Sequence, residues 1–115
     1  MNIAIIPCRI GSKRIRKKNI KSFHGKPIII HTINNILQSK VFGKIIVSSD
    51  SLMVKDLLAK HKKIMFHKRP KKYSDDNSST VDAIKSCILD MKILKNANVC
   101  CVYPCAPIFR IIIVI

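Results

Sequence analysis

Short apolar runs alternate with longer polar or amphipathic segments along most of this 115-residue chain. Four runs, at residues 2–7, 44–49, 64–67 and 99–103, are continuously apolar or nearly so instead of alternating with polar residues. Runs of this length and kind are typical of β-strands that are covered on both faces. Proline residues at positions 104 and 107 end the last of them.

Helical patterns separate these predicted strands. The first helix should open at Lys26-Pro27, since proline is tolerated in a first turn. Asp50-Ser51 should cap a second helix that runs to about residue 61, and Ser79 or Thr80 a third that runs to about residue 92. The expected apolar stripes are Ile29, Ile33, Ile36 and Leu37 in the first helix, and Val81, Ile84, Ile88 and Leu89 in the third.

Alternating strands and helices predict a single α/β domain, residues 1–115, with a mostly parallel sheet between helical layers. Ligands of such sheets bind outside the carboxyl ends of the strands. Polar segments follow Pro7, Ser49, His67 and Tyr103, so the binding site is expected there. The apolar tail at residues 110–115 has no helical period, and no element is predicted for it.

The net charge of the chain does not change the predicted fold, but it bears on the partners that the protein could bind. Lys and Arg number 22 against six acids, a net charge of +16, and the first 49 residues carry no acid. Such an excess favours polyanionic partners, but a lysine- and isoleucine-rich composition also follows from an AT-rich genome, so the two explanations stay open. The chain has no secretory signal and no apolar run that spans a bilayer, which predicts a soluble cytoplasmic protein.

Cysteine and histidine residues show no metal-ligand spacing. The five cysteines include no C-x-x-C pair, and buried thiols in a reducing cytosol are expected. The four histidines, His24, His31, His61 and His67, have no partner at catalytic or metal spacing, so surface or loop positions are expected for them.

The segment after the first predicted strand is the strongest candidate for chemistry. Residues 7–19 (PCRIGSKRIRKKN) carry six basic side chains together with Gly11 and Ser12. Backbone N–H groups at a strand's carboxyl end can bind phosphate, and Gly11 would permit close approach. Arg9 and Lys18 would add positive charge. Anion binding is therefore favoured over a merely solvated basic loop, although the spacing is not that of a Walker A motif.

Five motifs in a fixed order extend this segment into a family resemblance. They are IIPCRIGSKRIRKKNI at residues 5–20, Gly25-Lys26-Pro27, Ile46-Val47-Ser48-Ser49-Asp50, Arg69-Pro70 with Ser74-Asp75-Asp76 and Thr80, and Tyr103-Pro104-Cys105-Ala106-Pro107. Together they resemble the acylneuraminate cytidylyltransferases (CMP-sialic acid synthetases), and Ser74-Asp75-Asp76 of the fourth motif and the fifth motif resemble the pseudaminic acid branch most. The resemblance runs to about residue 108.

The resemblance implies a Rossmann-like nucleotidyltransferase sandwich that uses CTP and a nine-carbon acidic sugar, either pseudaminic or N-acetylneuraminic acid. The sugar hydroxyl attacks the α-phosphate of CTP and pyrophosphate leaves, with Mg²⁺ present. On the matching positions, Arg9 and Lys18 would hold the triphosphate and act as the catalytic pair. The implied nucleotide-binding residues are Gly11, Ser12, Lys13, Asn19, Arg69, Ser78 and Thr80, and the implied sugar-site loop is Pro104, Cys105, Ala106 and Pro107.

The same resemblance implies that the chain is an amino-terminal half. Family members are roughly twice as long, and their metal-binding aspartates and dimerising segment lie in the other half. We therefore expect no metal ligands here, no family homodimer, and a fragment that binds CTP weakly or is inactive. Two alternatives remain: a small basic nucleic-acid-binding protein, although no such motif is recognised, and a decay product that folds poorly because its sheet edge is exposed.

Overall fold

The computed structural model describes residues 2–8, 22–23, 25–70, 80–93, 96–102 and 112–114. Within them the chain forms seven strands and three helices. In chain order these are β1 (Asn2–Cys8), β2 (Ser22–Phe23), β3 (Lys26–Pro27), α1 (Ile28–Ser39), β4 (Lys44–Ser49), α2 (Leu52–Leu57), β5 (Ile64–Lys68), α3 (Thr80–Asp90), β6 (Asn98–Cys101) and β7 (Ile112–Val114). All four strands predicted from apolar runs are present.

The main sheet has the order β5-β4-β1-β6-β7. Strand β1 pairs in parallel with β4 on one side and with β6 on the other, and β4 pairs in parallel with β5. The carboxyl ends of β1, β4, β5 and β6 therefore lie at one edge of the sheet. The prediction of an α/β fold with a mostly parallel sheet is confirmed.

Both faces of the sheet are covered, because successive side chains of each strand point to opposite faces. On one face, here called the α1–α2 face, Ala4, Ile6 and Val47 pack with residues of α1 and α2. On the other, the α3 face, Ile5, Ile46 and Cys101 pack with Ile84 and Cys87 of α3. The continuous apolar runs of the sequence reflect this double burial.

A two-stranded ribbon precedes α1, where the sequence predicted the start of the helix. Phe23 pairs with Lys26 and Ser22 with Pro27, and Gly25 lies between the two strands with φ 80°. The predicted helix start is wrong by two residues. Helical φ and ψ are disfavoured for a residue that precedes proline. Lys26 therefore stays extended, and α1 begins only at Ile28. Its predicted stripe is confirmed: Ile29, Ile33 and Ile36 are buried and Leu37 is partly buried.

Helix α2 is shorter than predicted. Ser51 is its N-cap, as expected, but α2 ends at Leu57 and tight turns continue to residue 64.

Helix α3 buries the predicted stripe only in part. The predicted Ile84 is buried and Ile88 is partly buried, and Ala83 and Cys87 join them, whereas Val81 and Leu89 are 50% and 78% exposed. The small residues Ala83 and Cys87 let α3 pack close to the sheet. With this side of the helix facing the sheet, Val81 and Leu89 are exposed. The helix ends at Asp90 because Lys92 adopts φ 53° and Ile93 N–H closes the last turn on the Ile88 carbonyl.

The apolar tail forms a strand that the sequence analysis missed. Strand β7 pairs antiparallel with β6, with Ile112 opposite Cys101 and Val114 opposite Val99. The prediction of no element in this tail is wrong. Its run of β-branched residues lacks helical periodicity but has high strand propensity, and pairing with β6 satisfies the backbone groups on the side that faces β6.

Candidate functional site

Three neighbouring strands end in register at the carboxyl edge of the sheet. Cys8 at the end of β1 pairs with Ser49 at the end of β4, and Ser49 pairs with Lys68 at the end of β5. The next residue, Arg69, donates its backbone N–H to the Ser49 carbonyl at 2.8 Å. The ladder thus extends by one more hydrogen bond and fixes the backbone of Arg69 against β4.

Hydroxyl groups organise the end of β4. The Ser49 side chain is buried, and its Oγ accepts a hydrogen bond from the Ser51 backbone N–H at 3.2 Å. Ser51 Oγ in turn accepts one from the Met53 N–H at 3.1 Å, which caps α2. The Ser48-Ser49-Asp50-Ser51 segment therefore forms a tight, internally bonded turn from strand into helix.

Ser48, His67 and Asp90 form a chain of hydrogen bonds on the α3 face. Ser48 Oγ lies 2.8 Å from His67 Nδ1, and His67 Nε2 lies 2.7 Å from Asp90 Oδ2. Ser48 and His67 are buried, at 1% and 4% exposure, while the Asp90 side chain is about half exposed, at 52%. The prediction of a surface or loop position for His67 is wrong, because its partners lie on other elements and sequence spacing does not reveal them.

Arg69 is the one predicted site residue whose side chain the structure describes, and it is 7% exposed. Burial of an arginine at a sheet edge is unusual, because a guanidinium is costly to remove from water unless its donors are satisfied. Thr80 begins α3. The other predicted site residues lie outside the described residues: Arg9, Gly11, Ser12, Lys13, Lys18, Asn19, Ser78, Pro104, Cys105, Ala106 and Pro107. Their roles stay predictions.

The described thiols are structural in character. Cys8, Cys87, Cys100 and Cys101 are all buried, as predicted, and Cys105 lies outside the described residues. Burial, with a smaller contribution from the nearby Asp90 carboxylate, raises the pKa of Cys87 to about 12. Burial also raises the pKa of Cys100 and of Cys101. These three thiols are therefore protonated at neutral pH and poorly suited to nucleophilic attack or metal binding.

The described residues contain neither a candidate metal cluster nor a helix that could span a membrane. No group of three His, Cys, Asp or Glu side chains in this part of the chain stands ready to hold a metal ion. None of the described helices has the length and apolarity that crossing a bilayer requires.

One cavity of about 300 Å³ lies at the opposite, amino end of the sheet. Ile3 and Lys44, near the starts of β1 and β4, contribute to its wall together with the turn after α3. It is therefore separate from the edge where Arg69 lies.

Comparison with known proteins agrees with this arrangement. The family model described as Cytidylyltransferase matches residues 3–108, which is nearly the whole chain. The chain belongs to the cytidylyltransferase family. The resemblance inferred from the five motifs is thereby confirmed.

Two relatives carry the names of cytidylyltransferases for pseudaminic acid and for N-acylneuraminate. This cytidylyltransferase chain is 40% identical over 114 residues to pseudaminic acid cytidylyltransferase of Campylobacter jejuni, which covers 95% of this chain and 48% of that protein. It is also 40% identical over 83 residues to N-acylneuraminate cytidylyltransferase of Escherichia coli, covering 72% of this chain and 20% of that one. The chain spans about half the length of the pseudaminic acid relatives it matches.

A solved structure shares the fold. CMP:2-keto-3-deoxy-manno-octonic acid synthetase complexed with CTP superposes with a TM-score of 0.74 at 22% identity, over 95% of this chain and 42% of that one. At this identity the likeness supports the cytidylyltransferase fold alone.

Proposed function

We propose that this chain is the CTP-binding part of a cytidylyltransferase that transfers CMP from CTP to a nonulosonic acid and releases pyrophosphate. The observation that carries the proposal is the register at the carboxyl edge of the sheet, where β1, β4 and β5 end side by side and Arg69 is fixed against Ser49. A parallel α/β sheet binds ligands at this edge. Pseudaminic acid is the favoured sugar, because two relatives of that name match 95% of the chain.

Charge distribution supports the same edge. The basic segment at residues 9–18 begins directly after Cys8, which is the last residue of β1. In the proposed complex Arg9 and Lys18 neutralise the triphosphate, and the amide and hydroxyl groups of the segment orient it. Such positioning and charge neutralisation supply most of the catalysis in phosphoryl transfer.

Arg69 is proposed to contact the cytidine end of the nucleotide. Its backbone is held against β4 by the hydrogen bond to Ser49 and its side chain is buried, so less side-chain freedom is lost on binding. Mg²⁺ is the proposed cofactor and would neutralise phosphate charge. The described residues include no cluster of ligands for it. Buried thiols fit a reducing cytoplasm, which is the proposed location.

Calorimetric titration of the purified chain with CTP and with ATP tests the proposal. CTP should bind more tightly than ATP, and Arg69→Leu should weaken CTP binding by about tenfold or more. Lys68→Leu is the matched control, since it removes the same charge from the exposed neighbouring position and should change affinity little. Arg69→Lys keeps the charge but removes the planar fork, so it should behave like Arg69→Leu if the contact is a directed hydrogen bond.

Two results would overturn the assignment: equal affinity for CTP and ATP, or equal losses in Lys68→Leu and Arg69→Leu. The expectation that this chain alone is inactive has its own test in the same preparation. Pyrophosphate release with CTP, Mg²⁺ and pseudaminic acid above the rate without enzyme would contradict it.

A further inference from the structure

The hydrogen-bond chain Ser48–His67–Asp90 has no role in the nucleotide site proposed above. It contains the residue types of a nucleophilic triad, but its geometry excludes that chemistry. Ser48 Oγ belongs to a residue that is only 1% exposed within the sheet, so no substrate carbonyl or phosphate can approach it. A role other than nucleophilic catalysis must account for this buried polar chain beside the apolar cluster of the α3 face.

The chain joins three separate elements. Ser48 belongs to β4, His67 to β5 and Asp90 to the last turn of α3. Both ring nitrogens of His67 are engaged, at 2.8 and 2.7 Å, so the orientation of the ring is fixed. Since buried polar groups are costly unless they are satisfied, this arrangement selects one register of β5 against β4 and one position of α3.

His67 and Arg69 are linked through the same pair of strands. Exposure alternates along this stretch, with His67 buried, Lys68 exposed and Arg69 buried, which is the period of two expected for one face of a strand. The side-chain bond from His67 to Ser48 is followed by the backbone bond from Arg69 to Ser49. Two successive residues of β4 therefore hold two alternate residues at the end of β5.

We propose that His67 is a positioning residue, which fixes the end of β5 through Ser48 and Asp90 and thereby sets the place of Arg69 for nucleotide binding. The inference rests on the proposed function in so far as Arg69 contacts CTP. His67 itself touches no substrate group in this scheme, and its effect on binding passes through Arg69.

Three variants separate positioning from mere stability. His67→Leu removes both hydrogen bonds but leaves the Ser48 hydroxyl buried without its partner. The double variant Ser48→Ala, His67→Leu removes that hydroxyl as well, so it should recover much of the lost stability. His67→Gln can still accept from Ser48 and donate to Asp90, and it tests rescue by a conservative replacement. Ile33→Val, a modest core truncation on the α1–α2 face, is the control for destabilisation alone.

Two readouts are measured on each variant: CTP affinity by calorimetry, and hydrogen exchange of the Arg69 amide relative to that of Ile5 in the central strand. The single and double leucine variants should both lose CTP affinity by roughly threefold to tenfold and should both speed exchange of the Arg69 amide. His67→Gln should restore both readouts in large part, and Ile33→Val should leave both unchanged.

A double variant with wild-type CTP affinity and wild-type Arg69 exchange would overturn the inference and leave His67 with a packing role only. A failure of the proposed function would give a different set of results. If the wild-type chain does not prefer CTP, that proposal falls, whereas faster Arg69 exchange in the double variant still supports positioning by His67. Unchanged exchange in that variant still rejects it.

Discussion

The two faces of the sheet are packed with different chemistry. The apolar cluster of the α1–α2 face consists of isoleucine, valine, leucine and alanine with the single thiol Cys8. Thr32 of α1 and Ser49 of β4 are also buried, and the Thr32 hydroxyl bonds the Ile28 carbonyl within its own helix. The α3 face has a similar apolar cluster but adds the Cys87 and Cys101 thiols and the Ser48–His67–Asp90 chain. Apolar contacts stabilise the fold but depend little on the orientation of the groups, whereas hydrogen bonds require a specific geometry. The first face therefore mainly stabilises the sheet, and the second also orients its carboxyl edge.

Two adjacent serines of β4 express this difference. Ser48 points to the α3 face, where it bonds His67, and Ser49 follows it in a strand whose side chains alternate. Ser49 Oγ instead bonds the Ser51 N–H at the start of α2. One hydroxyl connects strand to strand and the other connects strand to helix, so each face receives its own link to the candidate site.

The largest expected effect is on the α1–α2 face. Ile33→Ala should lower the free energy of unfolding by about 2–5 kcal/mol, because Ile33 is fully buried and the truncation leaves a cavity. Urea denaturation followed by circular dichroism measures this loss. Leu89→Ala is the control from α3, and it should change stability by less than about 0.5 kcal/mol because Leu89 is 78% exposed. Similar losses in both variants would contradict the burial pattern.

An intermediate effect concerns the α3 face at alkaline pH. Because the folded pKa of Cys87 is raised from 9.0 to about 12, the folded state holds a proton that the unfolded state releases. Stability should therefore fall as pH rises above about 9, by up to about 1.4 kcal/mol per pH unit from this thiol. Cys87→Ala should remove that part of the slope in urea denaturation between pH 8 and 10.5.

Asp90→Asn offers a finer test of the same slope. The Asp90 carboxylate is the smaller cause of the raised pKa of Cys87, after burial. Asparagine at this position should reduce the alkaline loss only in part, less than Cys87→Ala does. An alkaline slope that is the same in wild type and Cys87→Ala would show that other groups cause it.

The smallest effect is expected at the start of α2. Ser51→Ala removes the acceptor for the Met53 N–H and should cost about 1 kcal/mol, a typical loss for an N-cap. Ser51→Asp keeps an acceptor and should retain most of the stability. Thermal unfolding of the two variants measures the difference, and equal melting temperatures would show that the cap contributes nothing.

Patterns that depend on local sequence were predictable. Continuous apolar runs located β1, β4, β5 and β6, and the stripe of α1 followed from its helical period. The five ordered motifs gave the family, which the match over residues 3–108 confirms. In each case the signal lies within a few residues of the element or motif that it describes.

Features that depend on contacts between distant residues were not predictable. His67 pairs with Ser48, 19 residues earlier, and with Asp90, 23 residues later, so nothing near it in the sequence marks it as buried. The β-branched residues of β7 have high strand propensity, but the place of β7 in the sheet follows only from its pairing with β6. The buried stripe of α3 was right for Ile84 and Ile88 but wrong for the other two residues, because hydrophobicity favoured Val81 and Leu89 whereas close approach favours the small Ala83 and Cys87.

The central position of β1 has a consequence for synthesis on the ribosome. Its neighbour β4 follows within 50 residues, but its other neighbour, β6, begins at Asn98, whose side chain bonds that of Asn2 across 96 residues of sequence. At a synthesis rate of roughly 5–20 residues per second, the edge of β1 that pairs with β6 stays unpaired for on the order of 5–20 s. During that interval the nascent chain exposes an isoleucine-rich edge, and chaperone demand should be greatest before residue 98 leaves the exit tunnel.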